Sequence, residues 1–102
     1  MIDRLEAIVT RFNEINEELS SPNIVNDIKK MTELSKEQTR LSETVEVYKR
    51  YKEVITNIEE DKELVRDPEL GEFAKEELAS LETELKELEA KLEILLLPHD
   101  PN

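Results

Sequence analysis

Few residues of this chain are equipped for catalysis. Its one histidine, His99, sits in Pro98-His99-Asp100-Pro101, beside an aspartate. That pairing is one that general-base chemistry uses, but the chemistry demands geometry before it demands a pKa. Between two prolines in a polar tail, the solvated-residue reading is the stronger one. No Ser stands at a recognisable nucleophile elbow. The absence of cysteine excludes disulfides and thiolate metal sites, and a single glycine, Gly71, excludes a Gly-rich phosphate loop. Acidic residues are plentiful, 26 in all. Helical di-iron sites pair a Glu with a His three residues on, and here Leu96 occupies the position before His99 where that Glu is needed. The acidic runs at 59–61 and 76–77 read as solvated helix faces. No catalytic residue, cofactor or metal ligand is assigned, and the chain reads as non-enzymatic.

One basic, aromatic spot stands out: Lys49, Arg50 and Lys52 with Tyr48 and Tyr51. Charge and ring stacking suit such a spot to single-stranded RNA. The competing reading has the rings partly buried and the cations paired to flanking acids. Net charge favours the second, because at −12 the chain as a whole is repelled by phosphate backbones. Direct nucleic-acid binding is therefore not expected, and a protein partner suits the surface better.

The elements that carry these residues are helical. Charged residues make up 39% of the chain and aromatics 4%, a balance that suits long helices rather than sheets. In the first segment Leu5, Ile8, Val9, Phe12, Ile15 and Leu19 recur at steps of three and four, with Asp3 or a neighbour as cap. Ser20-Ser21-Pro22-Asn23 ends it. A second segment follows Asn26-Asp27, either of them a suitable N-cap. Its stripe is Ile28, Met31, Leu34, Leu41, Val45, Tyr48, Ile55, Ile58 and Val65. It spans about 60 Å at 1.5 Å per residue. Gln38 and Lys52 soften the stripe, and a break near Ser35 is compatible with the pattern. The third segment opens at Asp67-Pro68-Glu69, an Asp cap followed by Pro at the first helical position and an acid in the first turn. Leu70, Phe73, Ala74, Leu78, Leu81, Leu85, Leu88, Leu92 and Leu95 follow, with heptad spacing from Leu78.

The short join at Arg66-Asp67 folds segments two and three into an antiparallel pair. The expected fold is all-α: a long, coiled-coil-like antiparallel helical hairpin with a shorter N-terminal amphipathic helix packed on it. Net charge is −3 over residues 1–20, −1 over 26–66 and −7 over 67–95. A near-neutral middle segment between acidic neighbours predicts ion pairs from helix to helix. No apolar run approaches the roughly 20 residues of a membrane span, and Met1-Ile2-Asp3-Arg4 lacks a signal core, so a cytoplasmic location is expected.

The chain's end is apolar on all sides: Leu92, Ile94, Leu95, Leu96 and Leu97. Pro98, His99, Asp100 and Pro101 then read as a stiff linker. Residues 1–97 are expected to form the helical domain and 98–102 the start of a linker to a further domain. Leu96 and Leu97 fall outside the heptad seam and are expected to pack against that domain, leaving them exposed without it.

At this tail the sequence resembles a known family. Leu95-Leu96-Leu97-Pro98-His99-Asp100-Pro101-Asn102 is similar to the junction after the first domain of bacterial class I peptide chain release factors of the UAA/UAG-reading type. Arg66-Asp67-Pro68-Glu69-Leu70, then Phe73-Ala74-Lys75-Glu76-Glu77-Leu78, match in order, as do Asp3-Arg4-Leu5-Glu6 and Glu33-Leu34-Ser35-Lys36-Glu37. His99 departs from the pattern, where a Lys is common. The resemblance implies an N-terminal accessory domain of a factor that acts on the ribosome at stop codons. It also implies protein contacts near the stalk base of the large subunit and with the GTPase that recycles the factor. The family's Pro-x-Thr codon-reading and Gly-Gly-Gln hydrolysis motifs do not occur in these residues. Two other readings remain: a free-standing coiled-coil scaffold, and a tRNA-binding helical arm, which the −12 charge disfavours.

Overall fold

The computed structural model describes residues 1–98. Its helices are α1 (Ile2–Leu19), α2 (Ile28–Leu64) and α3 (Gly71–Leu95), with a 3-10 turn at Pro22–Asn26, and the described residues contain no strand. The all-α expectation holds. The chain divides into two compact units, Met1–Glu46 and Val47 onward, and α2 contributes to both.

In the first unit, α1 and the beginning of α2 run antiparallel. Helix α1 starts one residue in. Met1 is its N-cap and its carbonyl accepts the Leu5 amide at 3.1 Å, so Asp3 lies inside the first turn and makes no cap. Ser20 closes the helix, its Oγ donating to the Asn16 carbonyl at 2.8 Å. Ser21 is extended at φ −68°, ψ 136°, the conformation that Pro22 imposes on its predecessor. The Pro22–Asn26 turn buries Ile24 between the helices, where it joins Ile15 and Leu34, with Leu19, Met31 and Leu41 packed around them. Of the two candidate caps for α2, Asp27 serves: its Oδ1 accepts the Lys30 amide at 3.0 Å.

Helix α2 is unbroken from Ile28 to Leu64, through Ser35. The polar Gln38 in its stripe is satisfied rather than disruptive: Gln38 Nε2 donates to Asn16 Oδ1 at 2.6 Å. Ile28 is 69% exposed, because it opens the helix ahead of the packed turns.

The second unit is the hairpin of α2 against α3. Val54, Ile58 and Leu81 form its centre, flanked by Leu78, Leu85 and Leu88. Val54, Val47 and Tyr51 are buried although the expected stripe passes over them. The Asp67 carboxylate caps as expected, accepting the Glu69 and Leu70 amides at 2.8 and 2.9 Å. Residues 68–70 form a turn, so regular helix begins only at Gly71. Leu70 and Phe73 consequently lie exposed, whereas Ala74 is fully buried.

Candidate functional site

The basic, aromatic spot of the second unit resolves into a packed and paired cluster. Tyr48 and Tyr51 are both buried, their rings stacked with centroids 6.2 Å apart and 24° between planes. Lys52 Nζ stands 4.7 Å over the Tyr48 ring, a cation–π contact. Arg50 grips both carboxylate oxygens of Glu84 of α3 through one edge of its guanidinium, Nε to Oε2 at 2.6 Å and Nη2 to Oε1 at 2.8 Å. That bond, and then the arginine's charge, hold the Glu84 carboxyl below its ordinary range. Burial is the first cause that raises the Tyr51 hydroxyl above its ordinary pKa, followed by the charge of Glu89 and a hydrogen bond to it. Stacked, buried rings and a bidentate arginine leave this spot poorly suited to splaying out bases.

The first unit has its own bidentate pair, Arg11 Nε and Nη2 to Glu37 at 2.8 and 2.7 Å. Lys30 meets Glu18 at 3.5 Å. Ion pairs thus join helix to helix as the charge pattern implied, although in Arg11–Glu37 the base comes from the acidic partner. The Glu37 carboxyl lies below its ordinary range because Arg11 donates to it. Planar two-point pairing fixes geometry as well as charge, which is why both sites use arginine.

At the end of α3 the expectation that Leu96 is exposed is corrected. Leu96 is 8% exposed, whereas Leu97 is 61% and Ile94 67% exposed. Leu96 follows the helix as its C-cap, its amide bonded to the Leu92 carbonyl at 3.0 Å. At about 100° per residue it lies about 40° around the axis from buried Leu92, a smaller departure than the roughly 60° of Leu95 on the other side. A straight helix drifts off a strict heptad and carries Leu96 into the packed face. Pro98 is exposed and outside the helix, and His99, Asp100 and Pro101 lie outside the described residues.

A second correction concerns the acidic runs. Glu59, Glu60 and Glu76 are exposed, but Asp61 is buried and Glu77 half-buried against it. The sequence held the signal: Asp61 follows Val54 by seven and Ile58 by three, which puts it on the core face. Among the described residues, no group of three or more His, Asp or Glu could hold a metal ion, and no helix is long and apolar enough to cross a membrane.

The family model of the PCRF domain matches residues 8–102. The chain belongs to the PCRF domain family. As a PCRF domain it is 55% identical over its whole length to peptide chain release factor 1 of Campylobacter lari, covering 29% of that protein. It is 50% identical over 98% of its length to peptide chain release factor 1 of Nitratiruptor sp., covering 28%. The identity to the Exiguobacterium sibiricum protein of the same name is 46%, over the whole chain and 29% of the relative. No solved structure matches. The PCRF domain therefore spans less than a third of the relatives it resembles, and the release-factor resemblance read from its motifs holds.

Proposed function

We propose that this chain is the N-terminal accessory domain of a translation termination factor that acts on the ribosome at UAA and UAG codons. The observation that carries the reading is the family match from residue 8 to 102, together with relatives near 50% identity that are named peptide chain release factor 1. The domain's task is contact with protein rather than chemistry: near the stalk base of the large subunit, or with the GTPase that recycles the factor. An acidic surface on which two of the arginines, Arg11 and Arg50, are tied to carboxylates supports that division of labour.

A domain exchange tests the reading. The matching segment of the Campylobacter lari factor is replaced by this chain, and release is measured on complexes stalled at UAA, UAG and UGA. Release at UAA and UAG at the parent's level, and none above background from the 102-residue chain alone, is the expected result. A chimera that folds but releases at no codon would sink the proposal, as would stop-dependent release by the chain alone.

The exposed pair Ile94 and Leu97 forms the packing surface for the next domain, and residues 98–101 form the hinge to it. Proline has a fixed φ and no amide donor, so a stretch with Pro at 98 and 101 is unsuited to continue α3 as regular helix. Scattering from the full-length protein tests the hinge. Replacing 98–101 with a helix-forming stretch is expected to narrow the distribution of molecular dimensions; an unchanged distribution counts against a hinge. The scaffold alternative makes a different demand on the same surface, since Ile94 and Leu97 would then join two copies. The chain alone is expected to sediment as a monomer at micromolar concentration, and a stable dimer abolished by Leu97→Ser would favour the scaffold.

A further inference from the structure

Asp61 lies in the last turn of α2 and is 5% exposed. Its Oδ2 accepts no hydrogen bond. Buried carboxylates are ordinarily paired or bonded, since leaving one unsatisfied is costly. Across the hairpin stands Glu77 of α3, half-buried, its carboxyl against that of Asp61.

We propose that Asp61 and Glu77 hold one proton between them, and that this proton ties α2 to α3 at the turn end of the hairpin. With the proton bound, a carboxylic acid on one side donates to a carboxylate on the other and satisfies the buried oxygen. When the proton leaves to water, two negative charges face each other over a desolvated site.

The surrounding charges leave this arrangement uncompensated. On α2, Lys62 and then Arg66 beyond its end are exposed, as are Glu59, Glu60 and Glu63. On α3, Glu76 is exposed and Lys75 bonds Glu72 at 3.2 Å. In the turn, Asp67 is occupied by the Glu69 and Leu70 amides, and those bonds hold its carboxyl below the ordinary range, so it stays charged. The Glu77 carboxyl is raised above its ordinary range, first by its hydrogen bond with Asp61, then by burial and by the charge of Asp61.

The sign follows. A carboxyl raised on folding binds its proton more tightly in the folded state. Its stabilising effect is present below the unfolded value, about 4.3, and is lost as pH rises through the folded one. Asp67, Glu37 and Glu84 are depressed and act oppositely: their contribution is lost as pH falls through their folded values.

The test is urea unfolding of the 102-residue chain between about pH 4.5 and 8, spanning the ordinary glutamate range and the region above it. Wild type is compared with Glu77→Gln and with the exposed control Glu76→Gln. The amide that Glu77→Gln introduces donates to Asp61 at every pH. Glu77→Gln is expected to raise the midpoint at the alkaline end of that range and to flatten the loss of stability that wild type shows as pH rises above the ordinary glutamate range. Glu76→Gln is expected to keep the wild-type slope. Equal slopes in the two variants would overturn the proposal, since the effect would then be general charge reduction. Carboxyl carbon NMR of the wild type gives a second reading that needs no variant: a resonance of Glu77 titrating in the ordinary glutamate range would overturn the shared proton, and one titrating above it supports it.

Discussion

Replacing Leu81 with alanine is expected to destabilise the hairpin by about 2–5 kcal/mol, the usual cost of truncating a buried leucine. Leu81 is the α3 member of the cluster it forms with Val54 and Ile58 of α2, and almost none of its surface meets solvent. Its side chain is ringed by the half-buried Leu78, Leu85 and Leu88, so the cavity left by truncation has walls that are already held elsewhere. Leu85 occupies the same heptad seam but sits at its margin, where water fills part of the space. Leu85→Ala is therefore expected to cost less than Leu81→Ala. Thermal melts followed by circular dichroism would rank the two against Glu82→Ala, an exposed position. Glu84 is unsuited as a control, because it is the carboxylate that Arg50 grips. A Leu81→Ala melt indistinguishable from that of Glu82→Ala would mean that the seam is not closed by α2.

That ranking marks the boundary of what the sequence displays. Apolar residues at three- and four-residue steps identify the helices, and Asp27, Pro22 and Asp67 mark their joins, because capping and proline chemistry are local. What is not local is harder to read. Ile24 lies in a five-residue 3-10 turn too short to show a period, yet it plugs the space between α1 and α2. Val54 and Tyr51 escape the stripe because a straight helix of 37 residues drifts off any strict three-and-four spacing and cannot keep one straight stripe. Asp61 is hidden because composition marks an acidic run as surface, whereas its register with Val54 and Ile58 marks one member of the run as core. For the candidate site, Leu97 is legible as exposed, whereas the burial of Leu96 is not, since it rests on Leu96 standing only about 40° of helix rotation from buried Leu92. The motifs that carry the family resemblance lie mainly at the turn and the tail, where backbone geometry restricts residue choice most.

Gly71→Ala is expected to destabilise the chain, against the ordinary rule that alanine in place of a helical glycine stabilises by roughly 0.5–1 kcal/mol. No positive φ demands glycine here. The demand comes from close approach: a Cβ at position 71 would stand 2.7 Å from the Val65 carbonyl oxygen and 3.5 Å from its carbon. Both are backbone atoms, so no side-chain rotation relieves the clash. Nor is the turn free to move aside. The Val65 amide is bonded to the Asp61 carbonyl at 2.9 Å and the Asp67 amide to the Leu64 carbonyl at 2.9 Å. On the other side the Gly71 amide is bonded to the Asp67 carbonyl at 2.9 Å, while the Asp67 side chain holds Glu69 and Leu70. Making room for one methyl means lengthening several of these bonds together. Overpacking of this kind costs about 1–3 kcal/mol, which outweighs the gain in helix propensity. Gly71→Val, with two more carbons at the same point, is expected to cost more than Gly71→Ala. Amide exchange separates the cause from a general loss of stability. Protection at Val65, Asp67 and Gly71 should fall by a larger factor than at Val54 and Leu81, because the damage starts at the turn. A Gly71→Ala chain that melts higher than wild type, with those turn amides as protected as before, would show that the Val65 carbonyl does not approach position 71 as closely as 2.7 Å implies.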